Sequence, residues 1–111
     1  MIVGIDLGTT NSAIACWKDG EPRLIPNAQG DVLTPSAVSF TDKGELLVGL
    51  AARERQTTDP DRTATVFKRY MGTDRKITLG KKRYRPEELS SMVLAALKAD
   101  AEAYLGEEIT E

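Results

Sequence analysis

The sequence of 111 residues has no histidine. Without imidazole there is no His-based catalytic triad and no histidine metal site. A single cysteine, Cys16, excludes an intrachain disulfide. It lies in the apolar run Ser12 to Trp17 and reads as a small buried hydrophobe rather than a reactive thiol. No apolar run approaches the length of a membrane span, and the N-terminus lacks a basic leader with a hydrophobic signal core. The expectation is a cytoplasmic protein with no membrane partner. The net charge of -2 provides no general attraction to nucleic acid. Two common phosphate signatures, G-x-x-x-x-G-K-[ST] and G-x-G-x-x-G, are missing as well. No internal repeat, linker or low-complexity tract is visible. What remains is an ordinary globular composition, 41% hydrophobic and 29% charged, in a length that allows one small domain with a real core.

The most informative stretch opens the chain: Val3-Gly4-Ile5-Asp6-Leu7-Gly8-Thr9-Thr10-Asn11-Ser12. Ile2 to Ile5 and Ser12 to Trp17 read as two strands, and small and hydroxyl residues form the turn between them. The tip of such a hairpin presents consecutive backbone N–H groups, a concavity suited to an anion. Gly8 has no Cβ, which allows a phosphate close to the backbone. Thr9 and Thr10 add hydroxyl donors. Asp6, where strand meets turn, is placed to hold Mg²⁺ through water, because Mg²⁺ keeps much of its hydration shell. The alternative is a plain hairpin turn with a capping Asp.

Pro22 to Ile25 reads as a third antiparallel strand after the turn Asp19-Gly20. Strands one and two are apolar on both faces, which predicts a covered position in the centre of a sheet. Pro26 to Leu33 is loop by composition. Ala37 to Phe40 and Glu45 to Val48 form a further strand pair around Asp42-Lys43-Gly44, and Gly49 to Gln56 is a short helix. Thr57 to Thr63 is polar and carries a turn at Asp59-Pro60. Ala64 to Gly72 is a short apolar segment with a buried-looking pair of cations, Lys68 and Arg69. Lys76 to Leu79 and Lys82 to Tyr84 predict a small hairpin. Its basic run Lys81 to Arg85 reads as a solvated rim, since Glu87 and Glu88 follow directly. Pro86 to Leu105 is the long helix. Pro86 and the two glutamates suit its N-terminus, and Gly106 stops it. Leu89, Met92, Val93, Ala96, Leu97, Ala101, Tyr104 and Leu105 make one apolar face for packing.

Gly4-Ile-Asp-Leu-Gly-Thr-Thr-Asn-Ser12 resembles the first phosphate motif of the actin-fold ATPases, in the wording of the DnaK-type, seventy-kilodalton heat-shock chaperones. Asn27-Ala-Gln-Gly, Thr34-Pro-Ser36, Val48-Gly49 with Ala51-Ala52, Val66 to Gly72, Glu88 to Leu94 and Ala101 to Gly106 are similar to later segments of that family, in the family's order. The segment between Gly72 and Pro86 is shorter than usual, which looks like the HscC-type branch. The resemblance implies an α/β fold: a partial actin-like, ribonuclease H-like lobe with a three-stranded antiparallel sheet at the N-terminus, a small subdomain and one long C-terminal helix. Residues 1–33 and 86–111 would be core subdomain IA of lobe I, and residues 34–85 a shortened subdomain IB.

The resemblance also implies roles. Gly8, Thr9, Thr10 and Asn11 would cradle the phosphates of ATP or ADP. Asp6 would join the Mg²⁺ shell through water. Lys68 would be the catalytic lysine at the γ-phosphate, with Arg69 supporting it; on its own, without the resemblance, Lys68 reads as a solvated surface lysine. The second phosphate motif, the adenosine-binding segments and the peptide-binding domain of the family are not in the sequence. The expectation is therefore a nucleotide-lobe segment of a stress-response chaperone. Its parent would couple ATP hydrolysis to binding of unfolded peptide, helped by a J-domain protein and a nucleotide-exchange factor. The 111-residue segment alone would be inactive and prone to self-association through its first strand. Two alternatives stand beside this: a sugar kinase on the same fold, and a non-catalytic interaction module.

Overall fold

A computed structural model describes residues 3–106 and Ile109. Three antiparallel sheets and two α-helices make up the described residues. The first sheet holds β1 (Val3–Leu7), β2 (Asn11–Lys18) and β3 (Glu21–Leu24) in that order, and β4 (Thr34–Pro35) pairs with the start of β2 beside β3. The second sheet runs β6 (Leu46–Val48), β5 (Ala37–Phe40), β7 (Thr63–Thr65). The third is the hairpin β8 (Ile77–Leu79) and β9 (Lys82–Tyr84). Helix α1 spans Leu50–Thr58 and α2 spans Pro86–Leu105, with 3₁₀ turns at Pro60–Arg62 and Phe67–Tyr70. This is the mixed α/β architecture with a long C-terminal helix that the sequence implies. The N-terminal sheet gains one short strand, β4, that the polar Thr34-Pro35 did not signal.

Helix α2 carries the core. Leu89, Val93, Leu97 and Ala101, four residues apart, are almost fully enclosed. They meet Ile14 and Cys16 from the inner face of β2 and Val38 from β5, in one cluster that also takes in Ala64, Phe67 and Leu79. Alternation along β2 follows directly: Ser12, Ile14 and Cys16 are buried while Asn11, Ala13 and Ala15 are half-buried. Ser90 is buried on the helix and donates to the thioether of Met71 at 3.3 Å. The N-terminus of α2 is held by the Arg85 N–H, which donates to the Glu88 carboxylate at 2.9 Å, and Gly106 closes the far end with φ 72°. The stacked rings of Phe40 and Tyr84, 5.4 Å apart, tie the β8–β9 hairpin to β5.

Three expectations need correction. The strand β1 lies at the edge of its sheet, not in a covered centre: β2 is its one partner among the described residues, and Gly4, Ile5 and Asp6 are exposed. An apolar pattern reports what a strand prefers to touch, not whether a neighbour is present. Lys68 and Arg69 are exposed, because their apolar segment ends in a 3₁₀ turn anchored by Phe67 alone. Tyr104, assigned to the packing face of α2, is 62% exposed. The first strand was also expected to begin at Ile2, which lies outside the described residues.

Candidate functional site

The turn Gly8-Thr9-Thr10 joins β1 to β2 and is fastened from below by two buried serines. Ser36, just after β4, donates its hydroxyl to the Gly8 carbonyl at 2.8 Å. Its oxygen also lies 2.7 Å from the Ser12 hydroxyl. The Ser36 proton is committed to Gly8, so Ser12 is the donor in that pair. The Ser36 N–H donates in turn to the Thr10 carbonyl at 2.9 Å. The turn is thereby clamped at Gly8 and Thr10 from a segment far away in sequence.

Gly8 is required by closure of the turn. A Cβ there would stand 2.2 Å from the carbonyl oxygen of Asn11, a distance no side chain tolerates. The sequence argument gave Gly8 a different purpose, close approach of a phosphate; the space beside its Cα is filled by the protein's own backbone.

Thr9 and Thr10 line a cavity of about 180 Å³ together with Ser36, Arg53, Gln56 and Thr65. Its apolar contributors are Pro35, Ala37 and Val66. Asn11 faces a neighbouring cavity of about 280 Å³ with Asn27, Asp31 and Arg53, so of the four residues assigned to one cradle Thr9 and Thr10 line one recess, Asn11 another, and Gly8 neither. Pro35 and Arg53 border both.

Lys68 enters from a separate element. Its ammonium donates to the carbonyl of Leu7, the last residue of β1 and the one before Gly8. A contact across this sequence distance sets a mobile cation at the rim of the hydroxyl-rich turn. Val66 introduces the 3₁₀ turn that carries Lys68, with φ 50° and ψ 22°. A β-branched residue in the left-handed region is a costly conformation, of the kind that collects at functional sites. Arg69 is exposed on the same turn and makes no ion pair with a described residue. Asp6 lies on the open face of the first sheet, in a recess with Gly4, Ala13 and Ala15. Among the described residues no three His, Cys, Asp or Glu side chains gather to hold a metal directly.

The structure thus brings Gly8, Thr9, Thr10 and Lys68 around one turn, leaves Asn11 beside it and puts Asp6 in a separate recess on the open face of the first sheet. Sequence reasoning missed Ser12 as the buried fastener, and Arg53, Gln56 and Thr65 as lining residues. One local signal existed: Ser12 is a polar residue at a core position of the β2 alternation. Arg53 stands in a helix of ordinary polar composition and gave none.

Compared with known protein families, the chain matches the family described as Hsp70 protein over residues 2–79 and again over residues 74–111.

Proposed function

The chain belongs to the Hsp70 family, and from that premise we propose that it supplies the opening part of the nucleotide-binding domain of an ATP-dependent chaperone of the DnaK type. In this reading residues 1–33 and 86–111 form the core subdomain of an actin-like lobe and residues 34–85 a reduced second subdomain. The brevity of the β8–β9 hairpin, with strands of 3 residues each, supports the HscC-type branch. The parent would be cytoplasmic. It would bind ATP with Mg²⁺, hydrolyse it, and use the change to take up and release unfolded peptide with a J-domain partner and an exchange factor.

The contact of Lys68 with the Leu7 carbonyl is the observation that carries the proposal. Phosphoryl transfer asks the protein mainly for positioning and for charge at the transferred group. A flexible ammonium resting on a carbonyl at the rim of the Gly8-Thr9-Thr10 turn can swing to a phosphate oxygen without breaking any buried contact. The turn offers backbone N–H groups and two threonine hydroxyls. Asp6 is a single carboxylate, which suits Mg²⁺ held through water and phosphate oxygens rather than in an all-protein cage. Mg²⁺ would supply neutralisation of the phosphate charge; the residues present hold and orient.

The decisive experiment is Lys68→Ala in the chaperone that contains this chain. Hydrolysis should fall by about 10²–10³-fold, as for loss of a charge-stabilising donor in a transition state. ATP affinity should change by less than about tenfold, because the lysine acts most strongly on charge that develops during reaction. Loss of affinity in step with the rate would make Lys68 a binding residue and defeat the role assigned to it.

A further inference from the structure

Lys68 reaches the Gly8-Thr9-Thr10 turn from an element of its own, so whatever holds that element decides where the ammonium can go. The 3₁₀ turn Phe67–Tyr70 belongs to no sheet. It begins after Val66, which stands in the left-handed region at φ 50°, and buried Phe67 pins its start in the core. Its far end lies against the first turns of α2. The buried Ser90 hydroxyl donates to the Met71 thioether at 3.3 Å. The Gly72 N–H donates to the Glu87 carboxylate at 3.1 Å. A thioether is a weak acceptor, whereas an N–H on a carboxylate makes a charge-assisted bond. Glu87 is therefore the stronger of the two polar ties that join this end of the turn to α2.

Glu87 is free for that task because its neighbour performs the ordinary one. Glu88 accepts the Arg85 N–H at 2.9 Å and closes the start of the helix. A glutamate in the first turn favours the helix dipole whichever way it points. Glu87 turns toward a residue 15 positions earlier in the chain. One of its oxygens accepts from Gly72; the other is screened from water with no hydrogen bond among the described residues and faces the exposed Arg85 guanidinium at 3.4 Å. Screening an oxygen without a hydrogen bond is unfavourable, so the bond to Gly72, with Arg85 beside it, holds the side chain in this direction. The same bond lowers the Glu87 pKa, which keeps the acceptor ionised at neutral pH.

We propose that Glu87 is a positioning residue for Lys68: its carboxylate, through the Gly72 N–H, fixes the 3₁₀ turn that sets the lysine against the phosphate-binding turn. The inference rests on the nucleotide reading of Lys68 and extends it to a residue that lines neither recess at that turn. Lys68 is exposed and makes no ion pair with a described residue; the Leu7 carbonyl is its one hydrogen-bond partner there. Release of the far end would let the turn swing about Phe67 and carry the ammonium with it. A displacement of about 1 Å at a reacting group costs on the order of 10²-fold in rate.

The test sets two conservative variants against each other. Glu87→Asp keeps the charge at the helix N-terminus but is one methylene too short to reach Gly72. Glu87→Gln keeps the reach and an acceptor oxygen but loses the charge. A glutamate that served the helix alone would tolerate aspartate and suffer from glutamine; a positioning acceptor gives the reverse order. In the chaperone that contains this chain, Glu87→Asp should lower kcat for ATP hydrolysis by about tenfold or more, with KM for ATP changed by less than about threefold. Glu87→Gln should keep kcat within about threefold of the wild type. Added to Lys68→Ala, Glu87→Asp should cost less than about twofold more, because its route to the reaction is gone. The reverse order of the two variants would overturn the inference. So would a loss that adds in full to that of Lys68→Ala, or one that lies wholly in KM. Glu87→Asp at the wild-type rate, with Lys68→Ala impaired, would strike the positioning role and leave the nucleotide reading standing. Lys68→Ala at the wild-type rate would remove the nucleotide reading, and the positioning role with it. Should Glu87→Asp fail to fold, amide exchange in the wild-type chain decides: the Gly72 amide should exchange about tenfold or more below its intrinsic rate, and an unprotected Gly72 would refute the contact.

Discussion

A methyl group at Gly8 would collide with the Asn11 carbonyl oxygen at 2.2 Å, whereas a Cβ at Gly4 meets nothing within 4 Å. Gly8→Ala should therefore open the turn and destabilise the chain by about 1–3 kcal/mol in chemical denaturation, with Gly4→Ala as the near-neutral control. Equal effects of the two substitutions would show that the tight approach is not needed. Ser36→Ala tests the clamp beneath the same turn. It removes the donor to the Gly8 carbonyl and the acceptor for Ser12, both at a buried position, and should cost about 1–3 kcal/mol. A loss well under 1 kcal/mol, on the order of the net value of one ordinary hydrogen bond, would mean that water replaces the hydroxyl. At this scale the sequence was half legible. Gly8, Thr9 and Thr10 could be singled out by kind and spacing, and Lys68 only by the resemblance of its segment to a known family. Their partners Ser36 and Leu7 could not, because a contact across the fold leaves no local pattern.

The elements were the most readable level, and the reason is period. Helix α2 spans Pro86–Leu105, as the spacing of Leu89, Val93, Leu97 and Ala101 requires, and the turn at Gly106 supplies its end. Tyr104 satisfied the same spacing and is exposed, while its neighbour Leu105 packs against the core. Two carboxylates on this helix respond oppositely to pH. The Gly72 N–H donates to Glu87 at 3.1 Å and lowers its pKa, with partial burial opposing, so its contribution to stability is lost as pH falls through the folded value. Burial raises the pKa of Asp100, which makes its ionised form a cost in the folded state at neutral pH. Asp100→Asn should then stabilise the chain at neutral pH by about 0.5 kcal/mol or less, as befits a partly exposed position. The gain should be full above the folded pKa and vanish below the unfolded one, where both states are protonated. Denaturation midpoints at neutral and acid pH measure it, and a gain that persists in acid would assign the effect to packing instead.

At the scale of the molecule, the hairpin pairings and the long helix follow from the sequence, but the pairing of β4 with β2 and of β7 with β5 and the completeness of the site do not. Motifs identify a cradle by its rim, and only the structure shows how much it encloses. The cavity at Thr9 and Thr10 holds about 180 Å³. A small-molecule site of ordinary kind needs about 300–1,000 Å³. The available recess therefore matches a phosphate group and leaves no enclosure for a base or sugar. One ammonium, that of Lys68, reaches the turn, and the carboxylate of Asp6 lies in a separate recess on the open face of the first sheet. In-line transfer needs the attacking water, the transferred group and the leaving oxygen all held, and effective molarity is lost when one of them can wander. The purified 111-residue chain should therefore show no ATP hydrolysis above background in a phosphate-release assay with Mg²⁺. Turnover by this chain, abolished by Lys68→Ala and retained by Asp100→Asn, would mean that the turn and the lysine suffice for catalysis. The proposed dependence on further parts of a chaperone would then be wrong. Turnover that survives Lys68→Ala would trace to a contaminant and leave the expectation standing.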